Sequence, residues 1–143
     1  MLLVDVNLLI HIVNHTSPDH AKALSWWQRM ETAGERVVLP WLTLVAFVRI
    51  STNARALAKP LTLSEALETM QVFLALPNVT VLHPKNEHAI EFTNACQSAG
   101  ATGNLVTDAH LAALAIEHDC ELASCDTDFA RFPGLRWINP LTP

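Results

Sequence analysis

Short apolar runs alternate with longer segments of helical spacing along this 143-residue chain. The apolar runs predict strands buried on both faces, at 2–4, 36–40, 79–82, 121–125 and 135–138. Helical spacing and capping residues predict helices at 17–32, 41–53, 62–76, 86–98 and 107–119. Strands that alternate with helices in this way indicate an α/β fold, in which a central, mostly parallel sheet is flanked by helices.

Composition narrows the class of protein. Half of the residues are apolar and only 16% are charged, which excludes a disordered chain. No repeat or linker interrupts the pattern, so we expect a single domain over residues 1–143. A net charge of −5 argues against general binding of polyanions, although it leaves room for a basic patch beside an acidic pocket.

The beginning of the chain and its cysteines bear on location. The apolar start lacks a positively charged leader and is interrupted by Asp5 and His11, so we expect neither a signal peptide, a membrane span nor a membrane partner. The three cysteines, Cys96, Cys120 and Cys125, cannot all pair with one another. They indicate free thiols and a cytoplasmic protein.

The first apolar run has an acid at the end of its strand. In "MLLVDVNLLI", residues 1–10, Asp5 is the one charged side chain. Removal of an unpaired carboxylate from water costs several kcal/mol. Asp5 is therefore either a turn residue that accepts hydrogen bonds from local backbone N–H groups or a metal ligand.

Asp108, in the predicted helix "TDAHLAALAIEHD", is a second acid that lies among apolar residues. At about 100° per residue, Ala112 and Ala115 lie within about 40° of Asp108, so the acid is in the middle of an apolar stripe. His110 and Glu117 lie on the opposite side of the helix. A helix dipole stabilises an exposed carboxylate in the first turn by less than about 1 kcal/mol, which does not explain why Asp108 faces inwards.

Two further acids, Asp126 and Asp128, come directly after the strand at 121–125. Ligands bind outside the carboxyl ends of the strands in open parallel sheets, so these acids are expected to meet Asp5 and Asp108 in one crevice. Carboxylates crowded together repel one another, and a divalent cation relieves that repulsion. Oxygen ligands favour Mg²⁺ or Mn²⁺, and such a site suits hydrolysis of a phosphodiester.

Four segments together resemble the PIN-domain ribonucleases, and specifically the VapC toxins of bacterial toxin–antitoxin pairs. They are "LLVDVNLLI", "LPWLTLVAFVRI", "GATGNLVTDAHLAALAIEH" and "LASCDTDFARFPGLRW", in this order along essentially the whole chain. The resemblance implies a Mg²⁺-dependent endoribonuclease, with Mn²⁺ as a substitute, that acts on RNA as a toxin. It also implies a homodimer and a cognate VapB-type antitoxin that blocks the site.

The resemblance assigns roles to individual residues. Asp5 and Asp108 would be the main metal ligands and Asp126 would complete the acidic set, with Asp128 close by as a fourth catalytic acid. Asn7 would orient Asp5, and Ser124 would be a supporting polar residue. Together with Arg49, both are expected on the substrate-binding side of the site. Which of Asp126 and Asp128 is the functional acid, and which is a turn or capping residue, is left open.

One position departs from the family pattern. Many members carry a glutamate three residues before an arginine in the second predicted helix, and Ala46 stands there, before Arg49. Either Glu91, in the fourth predicted helix, takes the place of the missing glutamate, or no residue does. The alternative to an active nuclease is therefore a PIN-like module that has lost catalysis and only binds RNA or a partner. A phosphatase is disfavoured, because "DVN" at residues 5–7 lacks the second acid of a DxD motif.

The remaining basic, histidine and tryptophan side chains are less specific. Arg49, Arg55 and Lys59 follow one another out of the second helix, and Arg49 is the best candidate to contact phosphate in the crevice. We expect the histidines to lie at the surface or in caps, with His110 and His118 solvated. The tryptophans are expected in core or interface packing rather than in base stacking: Trp26, Trp27 and Trp41.

Overall fold

A computed structural model describes all 143 residues and contains a five-stranded sheet. The strands are β1 (Leu2–Val4), β2 (Val37–Pro40), β3 (Val79–Leu82), β4 (Glu121–Ala123) and β5 (Arg136–Ile138). Every neighbouring pair is parallel, in the order β3-β2-β1-β4-β5. The predicted α/β fold with a central parallel sheet is confirmed, and all five predicted strands are present.

Six α-helices surround this sheet. They are α1 (Val6–Val13), α2 (His20–Ala33), α3 (Trp41–Ser51), α4 (Leu63–Ala75), α5 (His88–Ala99) and α6 (Asn104–Glu117), with a short 3-10 helix over Thr127–Arg131. None of the helices combines the length and the apolar character that a membrane span requires.

The two faces of the sheet pack against different helices. Side chains alternate along β1, so Leu2 and Val4 join a core formed with α1 to α4, whereas Leu3 joins a second core formed with α5 and α6. In the first core the ring of Phe73 lies edge-on to Trp27, with ring centroids 5.2 Å apart. Burial on both faces explains why the strands are almost wholly apolar.

The order of the strands fixes where a site can form. The chain runs from β1 outwards through β2 to β3, and then crosses to β4 and β5 on the other side of β1. The direction of winding therefore reverses between β1 and β4. A crevice opens at the carboxyl ends of strands at such a point, and Asp5 directly follows β1 while the segment from Ser124 directly follows β4.

Helix α1 was not predicted from the sequence. Its residues, VNLLIHIV, are rich in β-branched and aliphatic side chains, which have no strong helical preference. Leu8 and Leu9 are fully buried in the core shared with α2 and α3, so tertiary packing decides the conformation. The available signal was Asp5, which is the N-cap and accepts a hydrogen bond of 2.7 Å from the Val6 backbone N–H.

The predicted helix beginnings are wrong at three places, two of them at expected N-caps. Helix α2 begins at His20 rather than at Ser17 and Pro18, because the Ser17 hydroxyl bonds to Nδ1 of His11 and accepts from the Asp19 backbone N–H in a turn. Asn86 does not cap α5, which begins at His88. The capping box of α4 is confirmed, since Thr62 accepts a hydrogen bond of 3.1 Å from the Glu65 backbone N–H.

Helix α6 begins three residues earlier than predicted, at Asn104 instead of Thr107. Gly103, which precedes it, has φ +58°, a conformation that residues with a Cβ rarely adopt. Asp108 consequently lies in the second turn of α6 rather than in the first. The dipole at the helix N-terminus therefore contributes less to its carboxylate than the sequence suggested.

Candidate active site

Asp5 is held rigidly at the end of β1. Asp5 is 7% exposed. Each of its two carboxylate oxygens accepts one hydrogen bond. The Val6 backbone N–H donates to Oδ1 at 2.7 Å, and the Ser124 hydroxyl donates to Oδ2 at 2.7 Å. Burial raises the pKa of Asp5 above its ordinary value of 3.8, the two hydrogen bonds oppose that rise, and the nearby Asp126 charge adds to it.

Ser124 is the centre of the network that connects β1 to β4. Its fully buried hydroxyl donates to Asp5 and accepts from Nδ2 of Asn7 at 2.9 Å and from the Asp126 backbone N–H at 3.0 Å. These three bonds use the whole donor and acceptor capacity of a hydroxyl. Asn7 contacts Asp5 only through Ser124, and its Oδ1 accepts from the Cys125 backbone N–H at 3.3 Å.

Asp126 and Asp128 are fixed by a second turn after β4. Oδ1 of Asp126 accepts a hydrogen bond of 2.9 Å from the Asp128 backbone N–H, so Asp126 is the N-cap of the 3-10 helix. One carboxylate oxygen each from Asp108, Asp126 and Asp128 lie within 4.8 Å of one another. The structure therefore brings both acids to Asp108 instead of choosing between them, although the capping role belongs to Asp126.

Asp108 carries the clearest electrostatic signature of the site. Burial, and then the charges of Asp126, Asp5 and Asp128, raise the pKa of this half-buried carboxyl from 3.8 to about 6. None of the four acids pairs with a lysine, an arginine or a histidine. Like charges without a compensating cation are typical of a functional site and not of a structural ion pair.

Three of these acids line a cavity of about 240 Å³, and Asp128 lies outside its lining. Its lining residues include Asp5, Asp108 and Asp126 together with polar and basic side chains, namely Asn7, Thr43, Arg49 and Thr107. Larger grooves of about 450 and 500 Å³ along α2 contain no acidic residue. The acidic cavity is the one lined by Asp5 and Asp108, two carboxyl groups whose pKa is raised, which outweighs its smaller size.

Helix α3 forms the part of the cavity wall where many PIN-domain proteins would carry the glutamate that this chain lacks. Ala46 lines the cavity at that position, and Arg49, one turn later, makes no ion pair or side-chain hydrogen bond. Glu91, the proposed substitute, is not among the lining residues and does not contribute to the raised pKa of Asp108. Nothing in the cavity replaces the missing acid.

The donor atoms of the site are oxygens. The one thiol beside it is Cys125, whose pKa rises to about 11 through burial and then through the charges of Asp19, Asp5 and Asp126. A thiol of this kind stays protonated and is a poor ligand and nucleophile. Carboxylates with neighbouring hydroxyl and amide oxygens fit Mg²⁺ or Mn²⁺ and do not fit a soft metal.

Several expectations outside the cavity are corrected. His110 and His118 are half-buried rather than solvated, because α5 and the segment before it cover this side of α6. Trp26 and Trp27 lie in the core as expected. Trp41 is 51% exposed and does not belong to the core. Thr43 and Thr107, which sequence reasoning did not single out, line the cavity and share no motif that would have revealed them.

Comparison with known proteins identifies this arrangement. The family model described as PIN domain matches residues 2–135. The chain belongs to the PIN domain family. The resemblance found in the sequence is confirmed.

Relatives place the chain within the VapC group of PIN domain proteins. Ribonuclease VapC37 of Mycobacterium tuberculosis is 39% identical over 140 residues, which cover 98% of this chain and 97% of that protein. Ribonuclease VapC33 of the same species is 39% identical over 141 residues, or 99% of each chain. The similarity therefore extends over essentially the full length of both proteins.

Solved structures agree on the fold. VapBC2 from Rickettsia felis, bound to a DNA fragment from its promoter, has a TM-score of 0.70 at 13% identity and covers 96% of this chain and 97% of its own. VapBC-1 from nontypeable Haemophilus influenzae has a TM-score of 0.70 at 16% identity and covers 99% and 98%. At these identities the likeness concerns the PIN fold alone.

Proposed function

We propose that this protein is a Mg²⁺-dependent endoribonuclease, the toxin of a VapBC-type toxin–antitoxin pair, which hydrolyses RNA phosphodiester bonds in the acidic cavity. The observation that carries the proposal is the convergence of Asp5, Asp108, Asp126 and Asp128 without a compensating cation. The names of the VapC relatives support ribonuclease activity, and the names of the VapBC neighbours support an antitoxin partner.

The acidic set fits a divalent cation. A group of carboxyl oxygens within 4.8 Å of one another, one of them on a residue whose pKa is raised to about 6, is stabilised when a cation takes the place of the missing positive charge. Asp5, Asp108 and Asp126, which line the same cavity, would hold it, with Asp128 close by. A bound Mg²⁺ or Mn²⁺ supplies activation of water and neutralises charge on the leaving oxygen.

The protein contributes fixed geometry. Ser124 and the Val6 backbone N–H hold Asp5 in one orientation, and the backbone of the turn after β4 holds Asp126. A carboxylate that is already oriented does not have to be ordered when substrate binds. Asn7 acts as a positioning residue through the Ser124 hydroxyl.

Arg49 is the residue that we assign to the RNA. Its guanidinium is the one cationic group that lines the cavity, and it has no partner in the protein. A guanidinium binds two phosphate oxygens at once, so Arg49 is suited to orient the phosphodiester against the acids. The absence of an acid at Ala46 leaves Arg49 unpaired and free for this contact.

Homodimerisation and a cytoplasmic location complete the proposal. Trp41 and Val45 lie one turn apart on α3 beside the cavity and are 51% and 59% exposed, which supports an interface at this surface. Light scattering of the purified protein tests the dimer. Cys96, Cys120 and Cys125 are all free, which supports a reducing compartment.

The experiment that tests the function is cleavage of total bacterial RNA by purified, antitoxin-free protein, with Mg²⁺, with Mn²⁺ and with EDTA. The variants Asp5→Asn and Asp108→Asn are assayed alongside. Glu68→Gln, an exposed carboxylate on α4 away from the cavity, is the matched control. We expect discrete fragments that require the metal, disappear in both site variants and persist in the control.

Two other results would contradict the proposed ribonuclease activity of the acidic cavity. Cleavage that survives EDTA and both substitutions would show that the acidic cavity is not the active site. Binding of RNA without cleavage under any condition would identify the chain as a PIN-like binding module that has lost catalysis.

A further inference from the structure

A second polar cluster lies between α5 and α6, outside the acidic cavity. His88 belongs to α5, and His110 and Glu117 lie two turns apart on α6. Nδ1 of His88 is 3.0 Å from Oε2 of Glu117, and Nε2 of His88 is 2.9 Å from Nδ1 of His110. None of the three residues lines the acidic cavity.

Glu117 determines which tautomer His88 adopts. The Glu117 side chain is 4% exposed, and its Oε1 accepts a hydrogen bond of 3.1 Å from the Lys85 backbone N–H. An ionised carboxylate only accepts hydrogen bonds, so Nδ1 of His88 carries the proton. Neutral His88 therefore presents the lone pair of Nε2 to His110.

This arrangement is the one that prepares a histidine for a metal. Metal-ligating imidazoles generally donate their other N–H to a carboxylate, which fixes the ring and makes the ligating nitrogen more basic. Two nitrogens bound tetrahedrally to Zn²⁺ at 2.0–2.1 Å are about 3.3 Å apart. The 2.9 Å between His88 Nε2 and His110 Nδ1 is a few tenths of an ångström shorter, so the two nitrogens move slightly apart and both rings turn from facing each other towards a shared ion.

We propose that His88 Nε2 and His110 Nδ1 form a second metal site, for a transition-metal ion of the Zn²⁺, Ni²⁺ and Cu²⁺ class, with Glu117 as the carboxylate that orients His88. Imidazole ligands suit these ions, whereas Mg²⁺ and Mn²⁺ prefer the oxygens of the acidic cavity. Water molecules complete the coordination. A site with two protein ligands exchanges its ion and binds it more weakly than a four-ligand structural site.

Binding of the ion between His88 and His110 releases no proton, because His110 only changes its tautomer. In the ion-free protein, Nδ1–H of His110 donates to Nε2 of His88. When an ion binds, His110 adopts the other tautomer, with its proton on Nε2, and Nδ1 becomes a ligand. The carboxylate of Glu117 and Nδ1–H of His88 stay as they are.

Other groups around the cluster do not compete for the ion. His118 donates from Nε2–H to the His83 carbonyl oxygen, 2.8 Å away, and the Lys85 ammonium donates to the Glu117 carbonyl oxygen. The ring of Phe92 stacks on His88 at an interplanar angle of 16°. An ion between His88 and His110 would cross-link α5 to α6, the helix that carries Asp108.

The test measures zinc bound by untagged protein. Protein is dialysed against Zn²⁺ in the presence of excess MgCl₂, which competes for the acidic cavity, and bound zinc is counted by mass spectrometry. We expect one zinc ion per chain and its loss in His110→Asn, whose amide retains a hydrogen bond to His88 but offers no imidazole. Glu117→Gln should weaken zinc binding by about 10–100-fold. The control His15→Asn, an exposed histidine before α2, should bind as the unchanged protein does.

A spectroscopic measurement on the unchanged protein tests the same site without relying on variants that must fold. Cu²⁺ added to the unchanged protein should give an electron paramagnetic resonance spectrum with coupling to two imidazole nitrogens. Equal zinc stoichiometry in the unchanged protein and in His110→Asn, no zinc in either, or a copper spectrum with oxygen ligands alone would each overturn the proposal.

Discussion

The Ser124 hydroxyl donates a hydrogen bond of 2.7 Å to Oδ2 of Asp5, from a residue 119 positions later in the sequence. This bond joins the end of β1 to the end of β4, the two central strands of the sheet. Because Ser124 also accepts from Asn7 and from the Asp126 backbone, the fold and the acidic cavity depend on the same hydroxyl group.

Ser124→Ala should lower the free energy of unfolding by about 1–3 kcal/mol at neutral pH, because it leaves a buried carboxylate oxygen and two donors without a partner. Urea unfolding measures the change. Ser51→Ala is the matched control, since the Ser51 hydroxyl is buried without any partner and its removal should be neutral or stabilising. Equal losses in the two variants would show that the network contributes nothing specific.

The raised pKa of Asp108 predicts a particular pH dependence. The folded state holds the proton more tightly than the unfolded state, so the contribution of Asp108 to stability is fully present below pH 3.8 and is lost as the pH rises through about 6. In EDTA, the difference in unfolding free energy between Asp108→Asn and the unchanged protein should therefore change over this range in favour of the variant. Parallel stability curves for the two proteins would contradict the raised pKa.

Ala46→Glu should tighten Mn²⁺ binding, because it adds a carboxylate to the wall of the cavity formed by α3. In the metal-free protein, repulsion from the existing acids is offset by pairing with Arg49, which lies three residues later on α3. Calorimetric titration with Mn²⁺ gives the affinity. Val45→Glu places the same charge on the neighbouring residue, which is 59% exposed, and should leave the affinity unchanged. The same effect in both variants would mean that general charge, and not position, is responsible.

Arg49→Gln should weaken RNA binding while Mn²⁺ binding is retained, because a guanidinium can bind a phosphate but cannot be a metal ligand. The slope of the logarithm of RNA affinity against the logarithm of salt concentration should fall by about 0.7, the value for one phosphate contact of a single strand. Fluorescence anisotropy with a labelled RNA measures both quantities. Arg29→Gln removes an exposed arginine on α2 and serves as the control. An unchanged slope for Arg49→Gln would exclude the contact.

The sheet and its acids could be predicted because their constraints are local. Apolar runs too short for helices, separated by helical spacing, leave few arrangements other than a parallel sheet, and acids at strand ends then converge. Asp5, Asp108 and Asp126 follow from that reasoning. The hydrogen bonds of Ser124 do not, because contacts between distant positions are invisible to periodicity.

Two errors show what a single sequence does not contain. Helix α1 is rich in β-branched residues and is helical because Leu8 and Leu9 fit a core built from other elements. His110 was placed correctly on the side of α6 opposite Asp108, but a helical wheel gives a direction and not what covers it. Helix α5 packs on that side, and His88 turns a supposed solvated face into a buried network.

The central claim is that the acids around the cavity hold a divalent cation for RNA hydrolysis. Anomalous diffraction from crystals soaked in MnCl₂ tests it most directly. We predict a manganese peak in the cavity lined by Asp5, Asp108 and Asp126, within coordination distance of their carboxyl oxygens. Manganese bound elsewhere, with no peak among these acids, would contradict the claim.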